Sequence, residues 1–186
     1  MTGTIRSSAM VDLDAMLKPL QNICIECDHF HSGDCKPATC MIGFASRSLK
    51  FALQKGILDI PGASGHIPRS DMKHYFVENI IPALAETCLQ CRECRDSHSP
   101  DCVISVTRFC LENTILEKNI EYPGSLFMYL AMVKEQDPEI AQILAGEIKR
   151  KKNKGRECLE SNGHCKESGR AWPCGYTHTI TPHTGH

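Results

Sequence analysis

Cys24-Ile-Glu-Cys27-Asp-His-Phe-His31-Ser-Gly-Asp34-Cys35 recurs as Cys91-Arg-Glu-Cys94-Arg-Asp-Ser-His98-Ser-Pro-Asp101-Cys102. The two stretches agree at seven of twelve positions, all at one offset of 67 residues. Chance rarely places three cysteines and a histidine in register, so the pattern reads as an internal repeat. Further on, Leu49, Pro61 and Gly62 return as Leu111, Pro123 and Gly124 at an offset of 62, so the second copy is five residues shorter before its Pro-Gly. A weaker third copy follows. Arg156, Glu157 and Cys158 echo Arg92, Glu93 and Cys94, and Cys174 echoes Cys110, at an offset of 64, while Cys165 falls one residue short of matching Cys102.

Each unit reads as a cysteine loop, a helix, a Pro-Gly turn and a second helix. Repeats of this kind stack and share a core. The expected organisation is residues 1–62 as a first unit, 63–155 as a second packed on it, and 156–186 as a cysteine- and histidine-rich end segment.

The connecting segments carry helical periodicity. Over Cys40 to Lys55, Ile42, Ala45, Leu49, Ala52 and Leu53 fall on one face. Ser70, followed by Asp71, predicts the start of a helix toward Cys88 with Met72, Phe76, Ile80 and Leu84 as its stripe, kinked or divided at Pro82. A third helix is predicted from Cys102 to Lys118 and a fourth from Ser125 to Glu135. Asp137-Pro138 marks the start of a fifth, with Ile140, Ile143, Leu144 and Ile148 as its stripe and Gly155 as its stop. Strand-like alternation is nearly absent. The predicted fold is all-α, two to three repeated helical units with metal-binding loops and a loop-rich C-terminal segment.

Twelve cysteines in 186 residues need a chemical reason. Residues 1–10 lack the apolar stretch of a secretion signal, and no apolar run approaches the roughly 18 residues that span a bilayer. The chain is therefore expected to be soluble and cytoplasmic, where thiols stay reduced and clustered cysteines bind metal more often than each other. A formal net charge of −1 gives no general attraction to nucleic acid or to an anionic membrane, so neither is an expected partner.

The cysteines sort into near-fours: Cys24, Cys27, Cys35 and Cys40, then Cys91, Cys94, Cys102 and Cys110, then Cys158, Cys165 and Cys174. Cys88 is left to complete the third set, or to join Cys91 and Cys94 in the Cys-x-x-Cys-x-x-Cys spacing of ferredoxin-type sites. Each set has one Cys-x-x-Cys knuckle followed by isolated cysteines. Structural zinc more often takes two knuckles, or a knuckle and paired histidines. Widely spaced single thiolates suit a cubane, so two or three [4Fe–4S] clusters are the expected cofactors, with zinc as the alternative metal.

His31 and His98, at matched places, are candidate ligands or hydrogen-bond donors to sulfur. Asp34 and Asp101 are expected to cap the helices that follow them. Because bound metal contributes folding free energy, the metal-free chain is expected to be poorly ordered. Several clusters in a small chain suit electron transfer to or from a larger oxidoreductase or metalloenzyme subunit, a non-catalytic redox or accessory role being favoured over an enzyme. A cluster or metal assembly factor, a zinc-stabilised interaction or nucleic-acid-binding module, and an enzyme with an open-coordinated cluster at the three-cysteine third unit are the alternatives.

Overall fold

The computed structural model describes residues 11–30, 32–91, 99–160, 164–167 and 170–173, with side chains up to residue 154. The chain divides into two compact units, residues 1–148 and 149–186. The fold is mostly helical. In chain order the helices are α1 (Leu13–Ile25), α2 (Met41–Lys55), α3 (Val77–Cys91), α4 (Val103–Ile115), α5 (Leu126–Gln136) and α6 (Pro138–Glu160).

Helices α2, α4 and α5 lie where the sequence pattern predicts them, within three residues at each end. Helix α1 falls outside the predicted set, although it has both a cap and a stripe. The Asp12 carboxylate accepts from Ala15 N–H at 2.8 Å, and Leu13, Met16, Leu17, Leu20 and Ile23 form its buried face. Pro19 in its middle hides the signal. Helix α3 runs unbroken through Pro82 and begins at Val77, seven residues after Ser70. Helix α6 passes through Gly155 to Glu160. It starts as predicted, with the Asp137 carboxylate accepting from Glu139 and Ile140 N–H.

The first four helices pack in a ring, α1 on α2 and α3, and α4 on α2 and α3. Two hydrogen bonds set the direction of α1 against α3. Asp12 N–H before α1 donates to Gln90 late in α3, and Asn79 early in α3 donates to Glu26 just after α1. The pair is therefore antiparallel. Val103 N–H at the start of α4 donates to the Leu58 carbonyl just past the end of α2, so α4 runs back along α2.

Residues 56–76 must therefore return the chain from one end of the bundle to the other, a long crossover of the kind some four-helix bundles use. Gly56 and Gly62, both at positive φ, begin it, and Gly124 repeats that conformation after α4. The core holds Met16, Leu20, Ile42, Leu49, Ile80, Leu84, Ile104 and Leu111, and α5 and α6 add Tyr129, Val133, Ile140 and Leu144.

In the second unit β1 (His164–Glu167) pairs antiparallel with β2 (Arg170–Pro173), Cys165 opposite Trp172. The segment predicted to be loop-rich thus contains a two-stranded ladder. No described helix is long and apolar enough to cross a membrane.

Candidate metal centre

Cys24 lies in the last turn of α1 and Cys40 is the N-cap of α2. Between them the chain folds into successive tight turns. Cys27 N–H donates to the Cys24 carbonyl, Phe30 to Cys27, Ser32 to His29 and Cys35 to Ser32, at 2.8–3.2 Å. These turns keep Cys27 and Cys35 near the helix ends. Burial, then the thiols of Cys40, Cys27 and Cys35, push the Cys24 thiol above its usual range, while Lys50 pulls it down. The first predicted set is thus brought within electrostatic reach of one member. Cys40 is buried and the other three are half-buried.

Cys40 is the most elaborately held. Its sulfur accepts from Gly43 N–H at 3.4 Å, so a thiol caps α2, the place expected of Asp34. Gly43 is needed because the Pro37–Thr39 turn lies against it. A β-carbon would stand 2.6 Å from Pro37 Cα and 2.7 Å from its carbonyl oxygen.

The Tyr75 hydroxyl sits 3.4 Å from the Cys40 sulfur and donates to Asp71 Oδ2 at 2.7 Å. Asp71 also accepts from Met41 N–H at 2.8 Å and from Lys73 N–H. Asp71 therefore caps α2 across the fold rather than a helix of its own, and this holds residues 70–76 beside the cysteines. Burial disfavours the Lys73 charge, but Cys40, Cys27 and Asp71 outweigh it and hold the ammonium above its usual range.

Lys73 and Lys50 thus flank the set with positive charge. A cavity of about 800 Å³ opens beside it, lined by Cys27, His29, Lys73, His74, Tyr75 and Asn79 among others. Ile25, Met72 and Phe76 are exposed nearby. Lys73, Tyr75 and Asp71 carry no local sequence signal of this role. Only the crossover brings them here.

The remaining cysteines are placed differently. Cys91 ends α3 and Cys102 is the N-cap of α4, both buried. Because α1 and α3 are antiparallel, this pair lies at the opposite end of the bundle from Cys24 and Cys40. The 15 residues of α3 separate the ends by roughly 20 Å. Cys110, in the body of α4, is pushed up by burial and then by Cys40 and Asp71, so it leans toward the first set rather than toward Cys102. Cys88 is fully buried. Burial raises its thiol, Arg108 opposes, and Glu112 and Cys91 add to the rise.

Asp101 does not cap α4, the helix that follows it. It accepts from Gly62 N–H, Ser64 N–H and the Ser64 hydroxyl, tying the second loop to the Pro-Gly turn. None of the eight cysteines with described side chains is in a disulfide. Cys94, Cys174, His31 and His98, with the side chains of Cys158 and Cys165, lie outside the described residues. No three His, Cys, Asp or Glu side chains among the described residues form a ready site for a metal ion. No family model, curated protein or solved structure matches this chain.

Proposed function

We infer that this chain is an iron–sulfur protein whose first cluster is held by Cys24, Cys27, Cys35 and Cys40. The observation that supports the reading is that burial, and then the thiols of Cys40, Cys27 and Cys35 within the same 17-residue stretch, raise the Cys24 thiol. Four ionised thiolates so placed need a cation, and metal binding supplies it by displacing their protons. Lys73, Lys50 and Gly43 N–H offset the charge that the cluster and its thiolates carry.

A second cluster is proposed on Cys91, Cys94 and Cys102, with Cys88 as the candidate for the fourth thiolate. Its support is positional. Cys24 and Cys91 sit at matching helix ends, and Cys40 and Cys102 are both N-caps. The match of Cys40 with Cys102 has an offset of 62, the same as that of the Pro-Gly turns, and supports a repeated helix–loop–helix unit. A third site on Cys158, Cys165 and Cys174 rests on the sequence alone.

The role proposed is electron transfer to or from a larger oxidoreductase. Exposed Ile25, Met72 and Phe76 give a partner apolar surface near the first set. Electron tunnelling weakens exponentially with distance, so clusters roughly 20 Å apart would each serve a partner at its own end. One observation favours delivery of clusters to another protein as a second reading: Cys24, Cys27 and Cys35 are only half-buried.

The test is anaerobic purification followed by visible absorption and assay of iron, sulfide and zinc. A brown protein with about four irons and four sulfides per cluster is expected. A colourless protein with stoichiometric zinc overturns the assignment. Reversible reduction at a stable potential supports electron transfer, and loss of the cluster to an apo-acceptor supports delivery.

A further inference from the structure

The second cavity, about 830 Å³, lies along α4 and the crossover, away from the first cysteine set. Two guanidinium groups border it. Arg108 is 4% exposed. Its Nη1 donates to the Ile120 carbonyl at 3.2 Å and lies 3.5 Å from Glu112 Oε1. Its guanidinium carbon stands 5.1 Å from the Tyr122 ring centre and 5.5 Å from that of Tyr129. Its Nε has no acceptor among the described residues. Arg69 lies over Phe109, 5.3 Å from the ring centre, with no carboxylate partner among the described residues.

A buried, unpartnered N–H of a charged group is costly, and native proteins rarely leave one without an acceptor. Phe109, Ile120 and Tyr122 supply apolar wall, and Asn119 a polar one. Glu121 also borders the cavity, and Glu112 balances much of the Arg108 charge. A bare, strongly hydrated anion is therefore poorly matched. A planar carboxylate on an apolar body fits both the forked donors and the ring-lined wall. We propose that this cavity binds a small organic carboxylate, its carboxylate between Arg69 and Arg108 and its apolar part against Phe109 and Tyr122.

The experiment is titration of the intact protein with benzoate and, separately, with inorganic phosphate. Calorimetry and the NMR signals of the arginine side chains and tyrosine rings are the readouts. Saturable benzoate binding that shifts both sets of signals is expected, with Arg69→Gln weakening it about tenfold, as the loss of a charged hydrogen bond requires. Arg108→Gln alone strands the Glu112 charge, so the second variant carries Arg108→Gln with Glu112→Gln, and it too should lose binding. Phosphate binding equal to or tighter than benzoate overturns the proposal, as does benzoate binding that Arg69→Gln leaves unchanged, or no binding of either. Visible absorption is not expected to change on titration, so this result is independent of the cluster assignment.

Discussion

At Gly43 a single methyl group separates a closed cysteine loop from a displaced one. An added β-carbon would meet Pro37 backbone atoms, which cannot rotate away. Alanine gains up to about 1 kcal/mol in helix propensity, but the clash should outweigh it and leave Gly43→Ala less stable by roughly 1–3 kcal/mol. Denaturant unfolding measures that loss, and iron content per chain should fall with it because Cys40 and the Pro37 turn move together. Asp101 gives a second residue-level prediction. Hydrogen bonds from Ser64 and Gly62 hold its carboxyl below the usual range. A lowered native pKa contributes stability that is complete above the unfolded value, near 4, and is lost as pH falls through the native one. Asp101→Asn should therefore be less stable than the parent at neutral pH, and the gap should close as the medium is acidified below about pH 4. A gap that is constant from neutral pH down to acid unfolding would contradict this.

Among the elements, the α5–α6 junction is the most sharply specified. Asp137 ends α5 by donating its N–H to Val133, and its side chain opens α6 by accepting from Glu139 and Ile140. Pro138 follows at the first helical position, where its missing N–H costs nothing. Asp137→Ala should cost about 1 kcal/mol, read as a lower thermal midpoint with the visible spectrum unchanged. Helix α3 shows the opposite case. Ser70 and Asp71 have the chemistry of a helix start, yet the Asp71 carboxylate is taken by Met41 N–H and the Tyr75 hydroxyl. A local propensity of a few tenths of a kcal/mol yields to several tertiary hydrogen bonds.

For the molecule as a whole, the question is how much the proposed clusters would contribute to folding. The metal-free chain is expected from sequence to be poorly ordered, but the core draws Met16, Leu20, Leu49, Leu84, Leu111 and Leu144 from five helices and needs no thiolate. Removing iron anaerobically with a chelator should lower the thermal midpoint. It should nevertheless leave most of the far-ultraviolet helical signal and a cooperative transition. A metal-free chain without helical signal would show that the bundle depends on its clusters. On the proposed assignment, Cys24→Ser with Cys27→Ser removes the absorption of the proposed first cluster and keeps that of the proposed second, since Cys24 and Cys91 lie at opposite ends of the bundle.

Local chemistry alone specified the helical class, α2, α4 and α5, and the Asp137-Pro138 start. Each of these depends on neighbours within a few turns or on a short loop, so spacing along the chain carries the information. The crossover, the antiparallel setting of α1 and α3, and the leaning of Cys110 toward Cys40 were decided only in three dimensions. So were the places of Lys73, Tyr75 and Asp71 beside the thiols, and the two arginines over one cavity. These arise from packing between segments dozens of residues apart, where the free energy of burying shared apolar faces outweighs local preference and leaves no periodic trace in the sequence.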